Sequence, residues 1–61
     1  MIITSVNEAS SRIEDIIDES GPLSHYEIMI ITRDIYELFG AEQANELINK
    51  FDLENIGIRK Y

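Results

Sequence analysis

The chain has 61 residues, of which 12 are acidic and 5 basic, giving a formal net charge of −7, and it has no cysteine. That length makes one small domain with a marginal core, without a disulfide staple or a cysteine-based zinc site; a lone His25 cannot build a histidine site, so no metal or other cofactor is expected. A field of this sign repels nucleic acid and anionic membranes, so direct contact with either is not expected.

Met1 to Val6 lacks a basic flank, a long apolar run and a small-residue cleavage site, so neither a signal peptide nor a membrane span is expected there. The protein is read as soluble and cytoplasmic, a single domain over residues 1–61.

The fold class expected is all-α: a compact three-helix domain, with helices near 5–20, 24–39 and 41–51 and short extended or β-prone ends. Ser5 and Glu8 have capping-box spacing at the start of the first helix. Val6, Ala9, Ile13, Ile16 and Ile17 recur at intervals that place them along one side of it. Ser20-Gly21-Pro22 ends it, since glycine tolerates a left-handed conformation and proline cannot continue the ladder.

The second helix opens on another capping-box pair, Ser24 and Glu27, with Leu23 and Ile28 placed to form a hydrophobic staple. Gly40 is its expected C-terminal cap. At roughly 100° per residue, Ile28, Ile31, Ile35, Leu38 and Phe39 share the face expected to be core. The opposite face carries Tyr26, Met29, Ile30, Arg33, Tyr36 and Glu37, and is also rich in large apolar and aromatic groups. Either the neighbouring helices and terminal arms cover this second stripe, or it is an exposed interface built from residue types that anchor protein contacts.

The third helix turns Ala41, Ala44, Leu47, Ile48 and Phe51 inward, and its two alanines allow a close approach to the second. Beyond it, Asp52 to Asn55 suits a further turn, Gly57 a break, and Ile58 to Tyr61 a strand, a tail or a packed arm. Met1 to Thr4 is β-prone in the same way.

No constellation points to catalysis. Ser24 and His25 are sequence neighbours that a helix points about 100° apart, and His25 is expected to be an exposed capping-region residue. Asp15 to Glu27 lacks the alternating oxygen ligands of a calcium loop. Facing carboxylates would need a substrate cleft that so short a chain can scarcely enclose. A helix-turn-helix reading offers Gln43, Asn45 and Asn49 as base readers, but sets Glu42 and Glu46 against Lys50 alone.

The expectation is therefore a small acidic, non-enzymatic regulator or inhibitor that binds a protein through Tyr26, Met29, Ile30, Arg33, Tyr36 and Glu37. A homodimer through the same stripe would relieve the shortage of core, against the mutual repulsion of two acidic chains. A different class of function is mimicry of nucleic acid: Glu14, Asp15, Asp18 and Glu19, spaced along a helix at about 5–6 Å like successive phosphates, would occupy a basic groove. A structural subunit of a larger assembly is a third. In size and charge, though in no motif, the chain is similar to the accessory proteins by which phages and mobile elements redirect host machinery.

Overall fold

The computed structural model describes residues 5–19 and 24–61. Within them the chain folds as three α-helices and a short 3₁₀ turn, the all-α three-helix architecture expected from the sequence. The Ser20-Gly21-Pro22 stop, Leu23 of the staple and the β-prone Met1 to Thr4 lie outside the described residues.

Helix α1 is Val6–Glu19. The Glu8 amide donates to Ser5 Oγ at 3.1 Å, and the Ala9 amide to the Ser5 carbonyl at 3.1 Å, so the serine caps the helix as its spacing predicts. Ala9, Ile13 and Ile16 are buried and Val6 packs against them, but Ile17 is exposed. Ile17 stands about 100° round the helix from Ile16, which carries it off the buried arc.

Helix α2, Ser24–Phe39, packs against both other helices and forms the centre of the molecule. Its buried face is Ile28, Ile31, Thr32 and Ile35. Two residues assigned to the core by periodicity are not in it: Leu38 is 59% exposed and Phe39 45%. Both belong to the last turn, where the chain reverses at once into the next helix. Thr32 takes core space instead, fully buried, its hydroxyl donating to the Met29 carbonyl at 2.9 Å. A buried hydroxyl satisfied within its own helix costs little.

The reversal is made by Gly40 at φ 97°, ψ 171°, a conformation essentially confined to glycine. Its amide donates to the Tyr36 carbonyl, closing α2 as expected of a cap, while its carbonyl accepts from the Ala44 amide and opens helix α3, Ala41–Lys50. Ala44, Leu47 and Ile48 are buried. Ala44, fully buried, is on the side of α3 that packs in the core.

Asp52 follows in the left-handed conformation, then a 3₁₀ turn over Leu53–Ile56, the further turn read from the sequence. Gly57, at φ 94°, ends it: its amide donates to Glu54 and the Ile58 amide to the Leu53 carbonyl, both at 3.1 Å. This fold-back buries Leu53 and Ile58, and Phe51 packs half-buried beside them. Residues 58–61 run on without regular secondary structure as a packed arm. Lys50 ties α3 to α1 by donating to Ser10 Oγ at 2.7 Å.

Candidate partner-binding surface

The second stripe of α2 faces solvent. Tyr26 is 59% exposed and Ile30 54%, with Met29, Arg33, Tyr36 and Glu37 also exposed. All six lie opposite Ile28, Ile31 and Ile35 because residues three, four and seven apart share a side of a helix. Leu38 and Phe39 add apolar surface where α2 ends. Large apolar groups are thus gathered on one exposed helix face, whereas single exposed ones need no explanation.

Both aromatic ends of the stripe are braced. Tyr26 meets the edge of the His25 ring, centroids 5.7 Å apart at 81°. The expectation that His25 is an exposed capping-region residue is corrected here. It is half-buried, its ring lies against Gly57, and its Nδ1 is 2.9 Å from the Ile56 carbonyl. A carbonyl can only accept, so Nδ1 carries the proton. At the other end Tyr36 is stacked on Tyr61, centroids 4.3 Å apart and planes within 9°. Tyr61 is held in turn by Asn45, whose Oδ1 accepts from the Tyr61 amide at 2.7 Å while its Nδ2 donates to the Tyr61 carbonyl at 3.1 Å.

Between these ends lie Met29, Ile30 and the Arg33–Glu37 pair, Nε to Oε1 3.3 Å across one helical turn. With both partners largely in solvent, that pair stabilises little. Its effect is to hold the guanidinium on the stripe, among the side chains a partner would bury.

The acidic residues Glu14, Asp15, Asp18 and Glu19 are all exposed on α1. The ion pairs described, Arg33–Glu37 and Lys60–Glu54, leave them out. Asp18 and Glu19 stand in the last turn of a helix that has no basic residue there. Carboxylates at that end oppose the helix dipole, so their placement works against helix stability.

The contacts of Asn45, Tyr61 and His25 are what sequence reasoning missed on this surface. Asn45 was weighed as a base reader, but its amide is committed to a main chain 16 residues further on. No local spacing encodes a side chain reaching so far along the sequence. Among the described residues, no three His, Asp or Glu side chains cluster as a metal site, and no helix is long and apolar enough to cross a membrane. Comparison with protein-family models, with curated proteins and with solved structures finds no match for this chain.

Proposed function

We propose that the protein is a small non-enzymatic regulator or inhibitor of the cytoplasm that acts by binding another protein through the outer face of α2. The observation that carries this reading is the exposure of Tyr26, Met29, Ile30 and Tyr36 on the helix that also holds the core together. The stripe lies on the helix that packs against both others, and Tyr26 at one end of it is held against the His25 ring. Less side-chain freedom is then lost on binding, which favours affinity at modest contact area.

The test is affinity capture from the native host at low and high salt, with the wild type, Ile30→Glu, and a Glu14→Lys/Asp18→Lys double variant. The reading expects a protein held at high salt by the wild type and the double variant and lost on Ile30→Glu. It fails if Ile30→Glu retains that protein.

The second reading, mimicry of nucleic acid by Glu14, Asp15, Asp18 and Glu19, is favoured by two of these acids sitting where the helix dipole disfavours them. It expects the captured protein to be lost both at high salt and with the double variant. Recovery of the protein alone, as a dimer broken by Ile30→Glu, would instead make the stripe a homodimer interface.

A further inference from the structure

The contacts around Tyr61 have the form of peptide recognition. Tyr36 offers a ring face on which another ring lies flat at 4.3 Å, and Asn45 offers one acceptor and one donor to the same residue's amide and carbonyl. Both features read a chain rather than a particular fold: any extended residue presents that amide and carbonyl, and any aromatic side chain presents a face. Only the ring adds selectivity.

Charge adds a second criterion. Residues 1–56 hold all 12 acidic residues and three of the five basic ones, for −9, whereas residues 57–61 carry Arg59 and Lys60 and no acid, for +2. The seated segment is thus the cationic part of an otherwise strongly acidic molecule. Lys60 reaches the Glu54 carboxylate at 3.6 Å.

We infer that Tyr36 and Asn45 form a binding slot for an extended partner segment in which an aromatic residue follows basic ones, and that the chain's own Arg59-Lys60-Tyr61 occupies this slot in cis. The inference rests on the reading of the chain as a protein-binding module, and it names the chemistry of the partner at one end of the α2 stripe. Occupancy in cis makes the slot regulated: a partner binds with its intrinsic affinity reduced by the fraction of molecules whose slot is open. Tyr61 itself is 45% exposed and lies outside the buried core, whereas Ile58, three residues earlier, is part of it.

The experiment is a titration of the full ¹⁵N-labelled chain with the blocked peptide acetyl-Arg-Lys-Tyr-amide, followed by amide and side-chain shifts. Tyr61→Pro removes both the ring and the amide proton that Asn45 accepts, and so empties the slot. This variant is expected to bind the peptide saturably, with shifts centred on Tyr36 and the Asn45 side chain, about tenfold or more tightly than the wild type. Acetyl-Arg-Lys-Ala-amide, and the Tyr61→Pro/Asn45→Ala double variant, are each expected to lose that binding.

Tyr61→Ala, which keeps the main-chain contacts, is run in parallel should proline perturb the fold, and is expected to fall between wild type and Tyr61→Pro. Equal response of wild type and both variants, or binding indifferent to the peptide ring or to Asn45, overturns the inference. So does a wild-type dimer that Tyr61→Pro dissociates, which would assign the slot to the arm of a second copy. Peptide binding is read on the isolated chain and capture of a partner by the α2 stripe in the native extract, so failure of the slot and failure of the stripe are read separately.

Discussion

Asp52 turns the chain out of α3 at φ 53°, ψ 45°, the single non-glycine residue at positive φ among those described. Aspartate is tolerated there because its short polar side chain can bond locally, whereas a β-branched side chain crowds the following carbonyl. Asp52→Val is therefore expected to lower stability by about 1–2 kcal/mol, read as a fall in denaturant midpoint at unchanged slope. Asp52→Gly relieves the same crowding but adds unfolded-state freedom, and is expected to change stability by less than about 1 kcal/mol. Gly57 stands at φ 94°, and a Cβ there would lie 3.5 Å from the His25 ring. That distance is ordinary contact, so the backbone conformation and not space makes glycine necessary.

At the scale of elements, α2 shows two apolar faces with opposite roles. Ile35 is fully buried and Ile30 lies on the exposed side. Ile35→Ala is expected to cost about 2–5 kcal/mol, enough to unfold much of a domain this small, while Ile30→Ala should stay within about 0.5 kcal/mol. Circular dichroism melts of the two variants check this directly. Helix α1 supplies a complementary case, because the residue at its C-terminal end is acidic. Glu19→Lys is expected to raise stability by about 0.3–1 kcal/mol at low salt, since it replaces a charge that opposes the helix dipole with one that complements it.

What the sequence made legible follows from the range of the forces involved. Helix existence, the Ser5 cap, the Gly40 reversal and the core roles of Ile28, Ile31 and Ile35 are set within a few turns of chain, and all are readable from spacing. Leu38 and Phe39 share that spacing, but their burial depends on whether a neighbour extends over the last turn of α2, which periodicity does not encode. The six-residue stripe was visible as residue types, though its exposure was not. The break at Gly57 was legible and its hydrogen bonds are local, whereas the seat of Tyr61 on Asn45 and Tyr36 depends on contacts distant in sequence and left no local pattern.

The whole molecule has a radius of gyration of 10.2 Å, against roughly 10.5 Å expected for a compact chain of this length. Its surface of 4212 Å² is close to the about 4,000 Å² expected of a folded monomer of its mass. Both values are those of a compact fold. What opposes it is charge. Its extents are 27 × 23 × 16 Å and its formal charge is −7. At 0.01 M salt the Debye length, about 30 Å, exceeds every dimension of the molecule, so each carboxylate feels all the others; at 0.15 M it is about 8 Å and only near neighbours interact. Unfolding separates the charges and gains most where screening is weakest. Stability should therefore rise with sodium chloride over this range, and a gain on the order of 1 kcal/mol would raise the melting midpoint by about 4–8 °C. The Glu14→Lys/Asp18→Lys variant, whose formal charge is −3 against the wild type's −7, should start from a higher midpoint at low salt and respond less to added salt. A wild-type midpoint that does not move with salt would mean that local pairs offset the repulsion, and the exposed acids of α1 would then carry no cost for the fold.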